Sequence, residues 1–444
     1  MSAQSSYTDQ VLKVKPYGIE AIPLKERHGK LSEIFTFWFS ANLNILTWFT
    51  GALGMIIGLS FSETVAAIIL GNISGTLFLA KTSSQGPLHG LPQIAASGKV
   101  FGKLGLKIFG SVNWLSNVGW FAVDIVLGVV ALQEVLHVSY LIGLLILGCL
   151  TIIVAIFGYN FIHRFAQIMA VILGVFFLIM SLRIIPQLNA VALWTPSNLT
   201  NAQRIPLFFL AATAVFAYQI AFCTVSSDYS RYLKPNTSSK KIALLTFFGS
   251  ITAGVWLEIL GAAVTSLSPQ AEPIAQIVKL MGFLALPSLL TIAISTIPVN
   301  VLAIYSGGMS LLAAGIPLKR WHSALITGGL GIVLIASGGG AFADTYKNFL
   351  LLLSYWITPW LGILLASRSL SSDSGSVAIL PKQALIVYLL SFVCSIPFMA
   401  STLYTGYFAK EFLGGADASY LIGLLVSVLG VSLYRSRTIK ATLD

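Results

Sequence analysis

Long apolar runs separated by short polar breaks occupy almost the whole chain. Twelve of these runs approach the roughly 20 residues that a helix needs to cross a bilayer. They lie at about 33–58, 62–80, 106–132, 138–158, 162–188, 205–227, 242–267, 285–312, 321–338, 345–367, 383–404 and 418–434. The pattern predicts an all-α integral membrane fold of about twelve transmembrane helices. The connections are short and leave no room for a soluble catalytic domain. The longest inside connection, 81–105, is rich in Gly, Ser and Pro yet partly apolar, which predicts a loop or short helix at the membrane face. On the other side, 269–282 mixes Glu272 and Lys279 with apolar residues and predicts an interfacial helix before the eighth span.

Composition strengthens this reading. Of 444 residues, 56% are hydrophobic and only 9% charged, with a mean hydropathy of +0.87. Soluble domains carry about 25% charged residues, so lipid is the solvent this chain is built for. The net charge of +11 could suggest nucleic acid, but its placement argues otherwise. With a cytoplasmic N-terminus, only Arg183, Arg204, Lys279, Lys347 and Lys410 fall outside; the other 21 of 26 Lys and Arg lie on inside loops and span ends. That is the positive-inside asymmetry. It supports an even number of spans, both termini cytoplasmic, and no nucleic-acid partner. The first 30 residues are polar and charged, so the first span itself would direct insertion. Cys149, Cys223 and Cys394 fall within spans at no metal or disulfide spacing, and the five His residues occupy loops or span ends. No phosphate-cradling loop, nucleophile elbow or zinc motif appears, so an enzyme or an ATP-driven pump is not expected.

Polar residues inside spans cost free energy and are therefore candidates for function. Only two acids sit deep: Asp124 in the third span and Glu258 in the seventh. In NVGWFAVDIVLG, residues Asn117, Trp120 and Asp124 recur at spacings of three and four and share a helix face. An aromatic plate beside a carboxylate suits a flat heterocycle, whose ring stacks while its N–H groups donate to the acid. A packed Trp beside an Asp bonded to a neighbouring helix fits the same spacing. Glu258 reads either as a proton or coupling group or as a structural partner. The first span places Ser40, Asn42, Asn44, Thr47 and Thr50 before Gly51 and Gly54, a pattern of an interrupted helix or of close helix packing. Tyr218 and Gln219 interrupt the sixth span. Ser295 and Thr296 precede Pro298 and Asn300 in the eighth, where hydroxyls beside a proline-broken ladder could offer hard oxygen ligands. Asp228 and Arg231, in SSDYSRY, suggest a structural or gating role at the inner end of the sixth span.

Several stretches together resemble the nucleobase–cation symporter family, which includes the purine and cytosine permeases. They are Gly18-Ile19-Glu20-Ala21-Ile22-Pro23 with Glu26-Arg27, WFSANLNILTWFTGALG in the first span, Gly86-Pro87, Gly90, Ser97 and Phe101-Gly102 in the inside loop, Gly119-Trp120-Phe121, and SSDYSRY. The resemblance implies a LeuT-type fold of two inverted five-helix repeats plus two C-terminal helices, with broken first and sixth helices and alternating access. The implied organisation is a cytoplasmic segment 1–32, repeats at 33–188 and 205–367, a helix pair at 383–434 and a tail at 435–444. It implies that Trp120 stacks on the substrate, that Asn117 and Asp124 flank it, that Asn44 lies near, and that Tyr218, Gln219 and Asn300 contact it. It also implies a Na⁺ site of the carbonyls of Ser40, Leu43 and Ile292 and the hydroxyls of Ser295 and Thr296, with H⁺ as the other coupling ion to weigh. The expected function is import of a cytosine- or purine-like heterocycle across the cell inner membrane. Allantoin or hydantoin, a thiamine-precursor pyrimidine, or an amino acid are the alternatives. Four features depart from the family pattern: Gly98 stands where many relatives have Arg, the sixth span lacks a break-marking glycine, Gln219 stands where some members use an aromatic for stacking, and Asp124 stands where others carry Gln, Asn or a small residue.

Overall fold

A computed structural model describes residues 18–27, 29–157, 159–189, 199–269, 271–337, 342–367 and 379–443. Among these the fold is helical, with an isolated two-residue bridge, Ala400 with Thr405, as its extended pairing. The main helices are α1 (Ser32–Asn42), α2 (Ile45–Ile56), α3 (Phe61–Ser83), α4 (Gln93–Leu136), α5 (Tyr140–Phe157), α6 (Tyr159–Ile184), α7 (Asn201–Ala221), α8 (Ser226–Ser230), α9 (Ser239–Ser266), α10 (Pro273–Met281), α11 (Ala285–Ala313), α12 (Arg320–Ser337), α13 (Phe342–Ala366), α14 (Pro381–Ser395) and α15 (Ser419–Leu443). Each of the twelve expected spans coincides with one of these helices or, for the first, with the pair α1–α2. Among the described residues, nine helical stretches are long and apolar enough to cross a membrane, and Ile45–Ile56, Tyr140–Ile156 and Trp321–Ala336 are shorter apolar helices. The interfacial helix expected near 269–282 is α10. The connection 81–105 holds a helical turn at Gly86–His89 and then the start of α4. Gly102 bends α4 with φ 67°, a left-handed value that costs glycine little. The basic residues Lys13, Lys15 and Arg368 lie outside the described residues.

The surface is inverted relative to a soluble protein. Ile168, Val171, Val175, Leu178 and Leu182 stand exposed along α6, as do Leu389 and Val393 on α14, whereas Asn42, Asn72, Gln219, Glu258 and Asn300 are fully buried. Lipid cannot satisfy polar side chains, so they gather where helices face one another.

Three groups of helices follow. The most extensive pairing is α4 with α11, which α5 and α12 join. A second group interlocks α1, α2, α3, α7 and α9. Glycine permits the closest approach inside it: a Cβ at Gly51 would run into the backbone of Glu258, and one at Gly261 into the carbonyl of Trp48. α2 and α9 therefore touch backbone to backbone at two levels. α13, α14 and α15 pack as a third group at the side.

Candidate substrate site

The first span breaks at Leu43, whose ψ of 72° ends α1. Asn44 restarts the helix: its Oδ1 accepts from Thr47 N at 2.9 Å, an N-cap, while its Nδ2 donates to Ala41 O and to the Tyr218 hydroxyl at 3.1 Å. Thr47 also pairs with that hydroxyl at 2.6 Å. The sixth span breaks without glycine. α7 tightens into a 3-10 turn at Phe222–Thr224, Val225 leaves the helical region at φ −128°, and α8 follows. Asn44 and Tyr218 thus tie the two breaks together.

A cavity of about 710 Å³ opens beside them. It runs from Gly29, Lys30, Glu33 and Tyr232 at the end where the N-terminal segment lies, past Phe37 and Tyr229, to Trp120 and Asp124. Beyond Asp124, the far end is sealed by packed aromatic side chains. Phe49 and Tyr346 are fully buried, Phe342 stacks on Tyr346, and Thr50 pairs with the Tyr346 hydroxyl at 2.8 Å.

α4 supplies one wall. Asn113, Ser116, Asn117, Trp120 and Asp124 all line the cavity, the stripe that spacings of three and four predict. Trp120 meets Tyr218 at 78° and Phe349 at 86°, both edge-to-face, so neither ring is stacked on it. Asn117 holds its amide with a bond to Asn113 O at 2.7 Å. Trp114, on the same helix but outside the cavity lining, instead donates to Thr327 at 3.0 Å. Of the predicted contacts, Asn44, Tyr218, Trp120, Asn117 and Asp124 come together here.

Gln219 and Asn300 do not join them. Successive helix residues are about 100° apart, and with Tyr218 turned to the cavity Gln219 faces α3 and α9. Its Nε2 donates to Asn72 at 2.8 Å and to Asn42 at 3.2 Å, and its Oε1 accepts from Ser250 at 2.8 Å. Asn300 is buried, and neither amide atom has a hydrogen-bond partner; Pro298, Val299, Leu302, Ala303 and Ser306 form that wall instead. Asn113 bonds Ser310, Gly110 abuts Ala314, and Gly128 abuts Thr296. This antiparallel register sets Asn300 across from Asp124.

The proposed Na⁺ ligands divide between two places. Ser40 and Leu43 line the cavity at the α1 break, while Ile292, Ser295 and Thr296 are buried on α11. The Ser295 hydroxyl donates to Ile292 O and that of Thr296 to Ala293 O, which leaves each oxygen with lone pairs to offer. The donor types suit a hard monovalent cation.

Sequence reasoning missed Phe37, Tyr229, Gln167 and Trp356. Phe37 and Tyr229 approach to 3.8 Å between ring centres near the mouth, and Trp356 donates to Ser116 at 3.2 Å. Phe37 and Trp356 sit among other apolar residues, and Tyr229 and Gln167 stand near charged residues at span ends, so no spacing set them on one face. Asp228 and Arg231 reach the inside loop and N-terminal segment: Asp228 accepts from Gln93 N at 2.8 Å and Arg231 donates to Gly18 O at 3.1 Å. Arg27 adds a bond to Pro87 O at 2.6 Å. This end is fastened from several sides.

A family model described as a permease for cytosine/purines, uracil, thiamine and allantoin matches residues 21–369. The chain belongs to this permease family. It is a multi-pass membrane transporter, not an enzyme. The "Putative purine-cytosine permease YxlA" of Bacillus subtilis (strain 168) is 30% identical over 451 residues, covering 97% of this chain and 98% of that relative. Among solved structures, the inward-facing conformation of Mhp1 superposes with a TM-score of 0.76 at 17% identity, covering 96% of this chain and 94% of that one. A closed conformation of Mhp1, a nucleobase–cation symporter with bromovinylhydantoin bound, gives 0.74 at the same identity and covers 96% of each chain. At this identity the likeness speaks for the fold: the permease shares the LeuT-type architecture of Mhp1.

Proposed function

We propose that this permease imports a nucleobase or related flat heterocycle, cytosine- or purine-like, with a coupling cation by alternating access across the cell inner membrane. The observation that carries this reading is Trp120, with no ring stacked upon it, one helical turn from the Asp124 carboxylate on the wall of a cavity formed at two helix breaks. A planar ring can lie on the indole while its N–H donors reach the acid, and Asn117 adds a polar group on the same face. The family description supports it, since it names compounds that contain nitrogen heterocycles.

The termini are taken as cytoplasmic from the charge asymmetry, which makes the end of the cavity at Gly29, Lys30 and Glu33 the inner one. The aromatic seal at Phe49, Phe342 and Tyr346 then closes the outside. Import requires that seal to part and the inner mouth to shut, with the halves 33–188 and 205–367 moving about the breaks. Na⁺ would be held between the α1 break, through Ser40 and Leu43, and α11, through Ile292, Ser295 and Thr296.

Uptake of labelled cytosine, adenine, uracil, allantoin and hydroxymethylpyrimidine into cells making the protein tests the reading. Accumulation of at least one supports it; correctly inserted protein that takes up none overturns it. Replacing Na⁺ by choline at fixed pH should slow uptake if the cation set is used. An amino-acid substrate is the second reading, favoured by Asp124 as a counter-charge for an amine. A thermal-shift comparison of nucleobases with amino acids separates the two.

A further inference from the structure

Away from the cavity, the helices α1, α3, α7 and α9 enclose a second set of polar side chains. Asn42 donates to Ser250 at 3.0 Å, Ser250 donates to Gln219, Gln219 donates to Asn72 and Asn42, and Asn72 Nδ2 donates to Glu258 Oε2. All five residues are fully buried, and the bonds fix which way each amide points. Only Glu258 is left incomplete: its Oε1 has no hydrogen-bond partner. No Lys, Arg or His pairs with it among the described residues. Its backbone, not its carboxyl, abuts Gly51 on α2. The titratable side chains within electrostatic range are Tyr218 on α7 and Tyr346 on α13, and both also feel Asp124.

We propose that Glu258 is a proton-binding site, linked to the substrate cavity through Asn72, Gln219 and Asn42, and that the permease carries a proton on it together with its substrate. This rests on the transport reading above. An ionised carboxylate sealed in this place would have one neutral donor and no counter-cation, whereas the protonated acid needs no cation. The link to transport is Asn42, the last residue of α1, next to the break whose Leu43 and Asn44 line the cavity. When α1 swings, Asn42 must leave Ser250 and Gln219, Gln219 loses its alignment on Asn72, and the surroundings of the acid change. Proton binding at Glu258 is thereby tied to the conformation of α1. The α3–α9 seam offers a route toward the inner end: Thr76, one turn beyond Asn72, has a buried hydroxyl without a partner, and farther along Thr246 bonds Ser83 at 3.0 Å. The proton enters from water on one side and leaves to water on the other, with no other bond made or broken.

Two measurements on the full-length protein test the idea. In vesicles at fixed Na⁺, Glu258→Gln should exchange labelled cytosine or adenine at a rate within about twofold of the parent, yet lose about tenfold or more of the accumulation driven by an inside-alkaline pH gradient. Accumulation on that gradient equal to the parent's would overturn the proposal. Independently of any substrate, infrared difference spectra across a pH titration should contain the carbonyl stretch of a protonated carboxyl that Glu258→Gln removes. Asn72→Ala, which keeps the acid and removes its donor, should shift that band and its midpoint. A spectrum unchanged by both variants counts against the proton site even if transport proceeds. If instead no heterocycle of the panel is transported while the band behaves as described, the substrate reading falls and the proton site stands.

Discussion

The cavity wall and the ring around Glu258 are made of the same materials. Each has carboxamides and one acid, each is within the apolar belt, and each joins several helices. They differ in completion. In the ring every amide is held by two or more partners and no space remains. On the wall, Trp120 and Asp124 face about 710 Å³ of space, and Asp124 takes no part in the ring's bonds. Amides held on every side fix one arrangement of helices, while a polar wall that faces open space waits for a ligand. Residue type alone does not separate structural from binding residues in this permease; the neighbours do.

Five variants bear on that contrast, from the largest effect to the smallest. Gly51→Ala should be the most damaging change, because the added methyl meets the Glu258 backbone and no flexible side chain can yield. A loss of about 3 kcal/mol, read as a collapse of the thermal midpoint in detergent, is expected. Gln219→Leu should follow at about 2–3 kcal/mol, since it strands the amides of Asn42 and Asn72 and the Ser250 hydroxyl. Protein that survives should bind heterocycle with unchanged affinity; a selective loss of affinity would place Gln219 with the substrate after all.

The wall should answer in the opposite way. Trp120→Ala is expected to weaken heterocycle binding by about 1–3 kcal/mol, the worth of one stacked base, and to leave the melting of the ligand-free protein nearly unchanged. Asp124→Asn should likewise reduce affinity for ligands with adjacent N–H donors without lowering stability. Trp114→Phe is the smallest change, costing about 1 kcal/mol of stability for its bond to Thr327 and nothing in affinity. Equal effects of the two tryptophan variants on binding would dissolve the contrast.

A third acid calibrates the other two. Asp417 lies in the connection before α15, where it accepts from Tyr355 at 2.6 Å, Ala400 N at 2.7 Å and Ser419 at 2.6 Å. Burial raises its affinity for a proton against these bonds, and the net shift is upward. The folded state thus holds a proton that the unfolded chain releases, and this corner loses stability as pH rises above about 4. Asp417→Asn should flatten that slope in a melting series and leave uptake unaltered.

How much was legible beforehand follows from the same distinction. Twelve apolar runs and the stripe Asn117–Trp120–Asp124 could be read from spacing, because helix length and bilayer thickness are fixed and one face of α4 carries its polar groups together. The interfacial helix before the eighth span could be read from its mixed composition. Neighbours such as Tyr218 and Gln219 could not be told apart. Both sit at the same depth in an apolar helix that is buried on several sides, so no exposed face marks the direction in which either points.

The sequence by itself determined that this is a membrane permease, how many times it crosses, and at which depth its polar side chains stop. The tertiary structure decided azimuth. Packing turned Tyr218 to the cavity and Gln219 to the ring, left Asn300 buried without partners opposite Asp124, and surrounded Glu258 with neutral groups. Depth follows from transfer of a segment into lipid, a property of each run alone, whereas azimuth follows from which helices meet, and that depends on all of them at once.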